Sequence, residues 1–298
     1  MPDLSPLDLG PTLYMPALRS DLAEVGNGHK YKNLRSLIYC TEDSILESDL
    51  SRALDSLAKA LPRLDAVPIN RFIRPRRPEV LARLLDFKGL ANITGFVIPK
   101  ADLHTLPDYF AILEAHEGFS LMITLETEAA FDLMHMYRLR DFLAGSHFKE
   151  RIAAIRIGVQ DLLSLLGLRR EPGNIIYETP LGVVTDQLLT IFRPAGFDVV
   201  APAFEYLNAP DLLLREIRAD ISRALYGKTA LHPEQLEIIA SAYKVSPQDL
   251  KAAGAVLDPE RPATFRLHDR IYEKAVHTNW AHTIEKRARI YGTHAQTQ

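Results

Sequence analysis

Most of the chain alternates between two kinds of segment, short apolar runs and longer stretches in which apolar and polar positions are mixed. Short apolar runs rich in β-branched and aromatic residues predict eight strands, at 12–18, 35–43, 65–73, 95–100, 120–127, 152–161, 196–205 and 228–233. Between them, apolar residues recur every three or four positions, which predicts amphipathic helices; one such series is Leu46, Leu50, Leu54, Leu57 and Leu61. Eight strands, each followed by a helix, predict a (β/α)8 TIM barrel over residues 11–257.

Residues 258–298 follow the barrel as a C-terminal extension. Pro259 and Pro262 mark the joint, and the last segment has a partial apolar face with helical spacing. We expect this helix to pack on the barrel or on a neighbouring subunit.

Composition and charge narrow the class of protein. The chain has 298 residues, 47% of them hydrophobic and 24% charged, which is typical of a globular protein with a sizeable core. A net charge of −3 and the lack of a long basic run argue against nucleic acid as a partner. A single cysteine, Cys40, excludes an intrachain disulfide, and neither a signal-like start nor an 18-residue apolar run occurs. We therefore expect a cytoplasmic protein that does not enter the membrane.

Polar residues end nearly every predicted strand. In a TIM barrel the active site lies at the C-terminal ends of the strands, so these residues are the candidates for chemistry. Along the chain they are Glu42 and Asp43, Arg74 and Arg76, Lys100, Glu126, Asp161, Glu205 and His232.

Two of these carboxylates predict a metal site. Glu126 and Asp161 end neighbouring strands, which lie about 4.8 Å apart, so their oxygens can converge on one small cation. Oxygen ligands without cysteine or paired histidine favour Mg²⁺ over zinc, and Mn²⁺ would be accepted by the same set. Mg²⁺ keeps several waters, so Glu42 and Asp43 could act through water while a bidentate substrate takes the remaining positions.

The cations at the same predicted mouth indicate an anionic substrate. Arg74, Arg76 and Lys100 would place positive charge where a carboxylate or a developing enolate oxygen needs it. Simpler roles stay open for several candidates. Glu126 could be a satisfied core or capping carboxylate, Arg76 a solvated charge in the turn RPRRP, and His232 a cap for the following helix.

A series of motifs in chain order resembles the HpcH/HpaI aldolase and citrate lyase β-subunit family. The motifs are LYMPALRSDL, SLIYCTEDSI, GFVIPKAD, ITLETEAAF, IRIGVQDLLSLLG and GKTALHPEQLEII. The resemblance implies a Mg²⁺-dependent carbon–carbon lyase that acts on an acyl-CoA thioester or a small keto or hydroxy acid through an enolate. It also implies metal ligation by Glu126 and Asp161, a substrate-binding arginine at the end of strand 3, nearby acids on strand 2, and a trimer or hexamer.

Two positions depart from that family's pattern. Gln160 stands where the family usually has an acid before the metal aspartate, and Pro68, Ile69 and Asn70 replace its arginine-containing triplet. The substrate arginine must then be Arg71, Arg74 or Arg76, of which we favour Arg74. The departures resemble a divergent bacterial branch of the family and leave the use of CoA open.

These inferences together assign a role to each candidate. The assignment is catalysis for Arg74, Glu42 and Asp43, substrate binding for Arg76, Lys100, Glu205 and His232, and metal binding for Glu126 and Asp161. Two rival functions remain: phosphoryl transfer on a phosphoenolpyruvate- or pyruvate-like substrate, and a non-catalytic barrel that binds an anion or nucleotide as a subunit. The altered strand-3 arginine and Gln160 are the features that favour the non-catalytic reading.

Overall fold

The computed structural model describes residues 4–295. Its strands are β1 (Thr12–Pro16), β2 (Ser36–Cys40), β3 (Asn70–Arg74), β4 (Gly95–Ile98), β5 (Ser120–Leu125), β6 (Ile152–Ile157), β7 (Thr229–Ala230), β8 (Thr264–Leu267) and β9 (Arg270–Glu273). Its helices are α1 (Pro6–Leu9), α2 (Leu22–Gly26), α3 (Leu50–Ala60), α4 (Pro78–Leu85), α5 (Leu106–Leu113), α6 (Leu133–Gly145), α7 (Val159–Leu165), α8 (Leu181–Phe192), α9 (Pro210–Ser222), α10 (Glu234–Ala242), α11 (Pro247–Leu257) and α12 (Lys274–Tyr291).

The predicted TIM barrel is confirmed, although one of its eight predicted strands is irregular. Seven parallel strands form a curved sheet in the order β6-β5-β4-β3-β2-β1-β7. The predicted seventh strand, 196–205, makes only single β-bridges, which join Val199 to β6 and Phe204 to β7. Pro202 lies between these bridges and lacks the amide hydrogen that a central strand position needs. The segment still lies between β6 and β7, so the barrel closes.

The strand before the predicted metal aspartate is shorter than the sequence suggests. The prediction extends that strand to Asp161, but β6 ends at Ile157 and α7 begins at Val159, directly after Gly158. Asp161 therefore lies in the first turn of α7, where the positive end of a helix favours a carboxylate. Gly158 separates the two elements and lets the chain turn from strand to helix within one residue.

Side chains fill the barrel interior in layers. One buried apolar layer takes a residue from each of β2 to β6, namely Ile38, Phe72, Val97, Met122 and Ala154. Side chains two positions further along a strand point to the same face, roughly 6.6 Å nearer its C-terminal end. The next layer towards the C-terminal ends of the strands therefore contains Cys40, Arg74, Thr124 and Arg156. Two positions further along, Glu42 and Glu126 form the layer after it. The interior thus changes from apolar to charged towards the mouth of the barrel.

The C-terminal part forms a second compact unit. The first unit ends at Ile239 and the second begins at Ala240, whereas the sequence analysis divides the chain after Leu257. The reason for the difference is α11, whose buried face shares one core with β8, β9 and α12 through residues such as Ala253, Phe265 and Ile284. Within residues 4–295, no helix combines the length and the apolar character needed to cross a bilayer.

Candidate active site

A cavity of about 330 Å³ opens at the C-terminal ends of the barrel strands. Four carboxylates and two guanidinium groups contribute to its wall, namely Glu42, Asp43, Glu126, Asp161, Arg74 and Arg156. Since all of them belong to the first compact unit, the barrel alone forms this cavity. It is the natural place for an ionic substrate.

Glu126 is buried and is held through one of its two oxygens. Its Oε1 accepts a hydrogen bond from the backbone N–H of Lys100 at 2.7 Å and another from Nη2 of Arg74 at 2.8 Å. No hydrogen bond within residues 4–295 uses Oε2, the other oxygen of Glu126. This oxygen faces Gly158, because a Cβ built on that glycine would lie 2.4 Å from it. A glycine is therefore required here for the carboxylate to reach the mouth of the barrel.

Asp161 brings a second negative charge to the same region. Its side chain is half-buried and has neither an ion pair nor a hydrogen bond in the part of the chain that the structure describes. Burial, together with the charge of Asp161, outweighs the opposing effect of Arg74 and raises the pKa of Glu126 to about 7. The charge of Asp161 also contributes to a raised pKa of Asp43. A cation bound between these carboxylates would relieve this repulsion.

Arg74 connects the acids of strands 2 and 5. It is only 6% exposed, and its Nη2 donates to Glu42 Oε2 at 2.7 Å as well as to Glu126. Its Nη1 donates to the hydroxyl of Tyr14 at 3.5 Å. Both acids are almost fully buried, so Arg74 supplies positive charge that favours the ionised form of each.

Glu42 and Asp43 are consecutive acids in different environments. Burial raises the pKa of Glu42, but Arg74, Asp43 and Lys100 together outweigh this effect and bring it to about 2. Lys100 donates its Nζ to Glu42 at 2.5 Å and lies 3.3 Å from the carboxylate of Asp43. The side chain of Asp43 is 52% exposed, and its pKa is raised, chiefly by desolvation and by Glu42. Glu42 is thus a fixed anion, whereas Asp43 is suited to exchange a proton with a bound molecule.

The acids at the mouth of the barrel fit a magnesium ion. The described residues contain no group of three or more His, Cys, Asp and Glu side chains placed to hold a metal. Mg²⁺ needs no such cage, because it is commonly bound by one or two carboxylates together with waters and substrate oxygens. Asp161 and the second oxygen of Glu126 offer carboxylate oxygens of the kind that Mg²⁺ accepts.

Of the three arginines considered at the end of strand 3, only Arg74 lines the cavity. Arg71 is buried elsewhere and donates to the backbone carbonyl groups of Gly26, Asp65 and Asn92. Arg76, predicted to bind substrate, donates to the carbonyl groups of Thr41, Glu42 and Ile45. Its guanidinium group thus holds the loop after β2, which carries the two acids Glu42 and Asp43.

Three further residues predicted to bind substrate, Lys100, Glu205 and His232, lie outside the cavity wall. Lys100 pairs instead with Glu42 and Asp43. Glu205 forms an ion pair with the fully buried Arg170 at 3.1 Å. His232 accepts a hydrogen bond at Nδ1 from the backbone N–H of Glu234, as a cap of α10 would. Thr229 and Leu231 line the cavity, whereas His232 does not.

Among the residues of the cavity wall that sequence reasoning missed are Thr124 and Arg156. Each lies inside an apolar strand, on the same face as a later residue of the cavity wall: Thr124 two positions before Glu126, and Arg156 two positions before Gly158. A lone arginine in an otherwise apolar strand was the available signal, since such a group is rarely buried without a purpose.

Comparisons with known proteins are consistent across sequence and structure. A family model described as a C–C bond lyase of the TIM-barrel fold matches residues 3–293. A (3S)-malyl-CoA thioesterase of Cereibacter sphaeroides is 23% identical over 248 residues, which cover 81% of this chain and 79% of that protein. The fold is similar to that of CitE from Mycobacterium tuberculosis, solved with magnesium, acetoacetate and coenzyme A (TM-score 0.69, 20% identity, 94% and 98% of the two chains). It is also similar to a citrate lyase from Burkholderia xenovorans LB400 (TM-score 0.73, 15% identity, 99% and 97% of the two chains).

Proposed function

Because the chain belongs to the C–C bond lyase family of the TIM-barrel fold, we propose that it is a Mg²⁺-dependent lyase whose substrate is an acyl-CoA thioester or a small keto or hydroxy acid. The family match bears out the resemblance to citrate lyase β subunits and the expectation of a carbon–carbon lyase. The metal, the substrate class and the roles of individual residues are the parts proposed.

One observation carries this proposal. The carboxylate of Asp161 and Oε2 of Glu126 belong to residues that line one cavity. None of these oxygens has a hydrogen-bond or ion-pair partner within residues 4–295. Other acids of the site, such as Glu42, are already paired with protein cations. Unpaired acids in a half-closed cavity, one of which raises the pKa of the other, are costly to maintain unless they bind a cation.

The chain's own residues divide the remaining tasks. A bound Mg²⁺ would supply Lewis acidity towards a substrate carboxylate or keto oxygen. Arg74 favours the ionised forms of Glu42 and Glu126 and adds positive charge beside the substrate. Asp43, partly exposed and with a raised pKa, exchanges the proton when the carbon–carbon bond breaks or forms. Lys100 holds Asp43 and Glu42 in place from the rim.

The relatives support the substrate class. The mycobacterial CitE structure contains magnesium, acetoacetate and coenzyme A, and the thioesterase of Cereibacter sphaeroides is named for malyl-CoA. Two guanidinium groups on the cavity wall suit a substrate that carries carboxylate groups. The cavity volume matches a small acid, with a CoA moiety left to lie outside the barrel.

A turnover screen tests the proposal. The protein is incubated with 3-hydroxyacyl-CoA dicarboxylates such as malyl-CoA, and with citrate, oxaloacetate and phosphoenolpyruvate, each with Mg²⁺ or with EDTA. We expect cleavage of a carbon–carbon bond in a thioester or acid, lost with EDTA and lost in Asp161→Asn. Turnover that survives both changes would reject the metal role, and conversion of phosphoenolpyruvate alone would favour phosphoryl transfer instead. Metal-independent binding with no turnover would favour a non-catalytic subunit.

Other features of the sequence prediction extend the proposal. We infer a cytoplasmic protein that assembles as a trimer or hexamer, with the lyase activity in the barrel and the C-terminal segment as an appended part. Sedimentation velocity measures the assembly state, and a monomer at micromolar concentration would contradict it.

A further inference from the structure

The barrel interior holds a second arginine beneath the proposed metal ligands. Arg156 lies on β6 directly opposite Thr124 on β5, and both line the cavity. Glu126 follows Thr124 by two positions, so the pair lies one side-chain layer below it, roughly 6.6 Å deeper in the barrel. A small molecule bound at the acids would therefore reach this layer with its far end.

The charge of Arg156 is not neutralised by the protein. The residue is 4% exposed, yet no carboxylate within residues 4–295 forms an ion pair with it. Its Nη1 contacts the sulfur of Met122 at 3.4 Å, its Nη2 donates to the hydroxyl of Thr229, and its guanidinium lies 5.4 Å from the centre of the Tyr14 ring. All of these partners are neutral. A buried cation with neutral partners only is costly, so the site favours an anion.

Thr124 provides an independent sign of a missing ligand. Its side chain is 2% exposed, and its Oγ1 has no hydrogen-bond partner among residues 4–295 although the residue lines the cavity. Buried hydroxyl groups are almost always hydrogen-bonded in folded proteins. The hydroxyl and the guanidinium lie side by side in register across two strands, which is an arrangement that can hold the oxygens of one anionic group.

We propose that Arg156 and Thr124 form a subsite for a second anionic group of the substrate, a carboxylate or a phosphate. The inference rests on the proposed function, because it takes the first anchoring point of the substrate to be the metal at Glu126 and Asp161. The substrate is then at least a dianion, with its second charge about one layer deeper in the barrel than its metal-bound end. A substrate without that charge leaves Arg156 unpaired and binds more weakly.

Three α-keto acids with the same chelating end test the subsite. Oxaloacetate carries a carboxylate, phosphonopyruvate a phosphonate, and 2-oxobutyrate a methyl group at the same far position. Their affinities are measured by calorimetry with Mg²⁺ in the wild type, Arg156→Met and Thr124→Val. We expect the wild type to bind at least one dianion about ten- to a hundredfold more tightly than 2-oxobutyrate, the range for hydrogen bonds to charged groups. Whichever dianion binds more tightly identifies carboxylate or phosphate as the natural group.

The variants separate recognition from a structural role. Arg156→Met should reduce the preference for the dianion to within about threefold. Thr124→Val should reduce it by roughly three- to tenfold, because an uncharged hydroxyl donor contributes less than a guanidinium group. Neither should lower the melting temperature without ligand, because Thr124→Val removes an unsatisfied buried hydroxyl and Arg156→Met removes a buried charge that has no ion-pair partner within residues 4–295. Arg71→Met, a buried arginine of the same type away from the cavity, should keep the full preference. If Arg156→Met instead destabilises the free protein, Thr124→Val still tests the subsite.

Failure of this inference differs from failure of the proposed function. Equal, Mg²⁺-dependent binding of all three acids, or a dianion preference unchanged in both variants, would overturn the subsite and leave the metal site intact. Lack of Mg²⁺-dependent binding for every acid, including 2-oxobutyrate, would overturn the proposed function itself.

Discussion

Removal of Arg74 tests the electrostatic arrangement of the site most sharply. The substitution Arg74→Met keeps most of the apolar volume of the side chain and deletes its charge. Its Nη2 lies 2.7 Å from Glu42 and 2.8 Å from Glu126, and both acids are 2% exposed. The variant therefore leaves two buried carboxylates with less compensation than they have now.

The structure sets the size of the expected effect. Removing one partner of a buried ion pair costs about 3–5 kcal/mol, because the remaining charge stays desolvated. For a folding unit of more than 200 residues, each kcal/mol lowers the melting temperature by about 2–4 °C. We therefore expect Arg74→Met to melt about 10 °C below the wild type at neutral pH. Differential scanning calorimetry and urea unfolding measure both quantities.

A double-mutant cycle separates charge from packing. Glu126→Gln removes one of the orphaned charges, so Arg74→Met combined with Glu126→Gln should be more stable than Arg74→Met alone, with a coupling of about 1–3 kcal/mol. The same cycle with Arg71→Met serves as the control, since Arg71 donates only to backbone carbonyl groups and should show no coupling to Glu126. A loss below about 1 kcal/mol for Arg74→Met, or equal couplings in the two cycles, would refute the reasoning.

Three further substitutions probe other parts of the structure. Asp161→Asn should weaken Mg²⁺ binding by at least about a hundredfold in calorimetry while changing the metal-free stability by less than about 0.5 kcal/mol, because Asp161 has no partner within residues 4–295 to lose; a large destabilisation would show a structural role. Gly158→Ala should also weaken Mg²⁺ binding, because its Cβ would lie 2.4 Å from Glu126. Gly145→Ala should not, because its Cβ would meet no residue of 4–295 outside its own stretch of α6; equal effects would contradict this. Burial raises the pKa of Asp220 to about 6, so the stability from this group is present below about pH 4 and lost as the pH rises through 6. Relative to Asp220→Asn, the wild type should lose up to about 3 kcal/mol between pH 4 and pH 7 in urea unfolding, and a constant difference would exclude that pKa.

The sequence predicts the barrel because the fold follows from a repeated pattern. Alternating apolar runs and amphipathic helices indicate each βα unit independently, so errors in one unit leave the others unaffected. The prediction fails where a local break is involved. Pro202 interrupts the predicted seventh strand, and Gly158 ends β6 early enough to place Asp161 on a helix.

Side chains at the mouth of the barrel are predicted less well, because strand-end position does not fix orientation. Glu126, Asp161 and Arg74 all line one cavity, as expected for residues at the C-terminal ends of parallel strands. Glu205 is drawn away by Arg170, a partner 35 positions earlier in the chain that no local pattern indicates. Arg156, in contrast, lies within β6 and not after its end, yet its residue lines the cavity.

Crystals grown with Mg²⁺ and oxaloacetate test the central claim most directly. The account predicts one octahedral ion with an oxygen of Glu126 and an oxygen of Asp161 each about 2.1 Å away, and with substrate oxygens and water completing the shell. Asp161 paired with a protein cation instead, or Mg²⁺ and oxaloacetate bound away from these two acids, would contradict it.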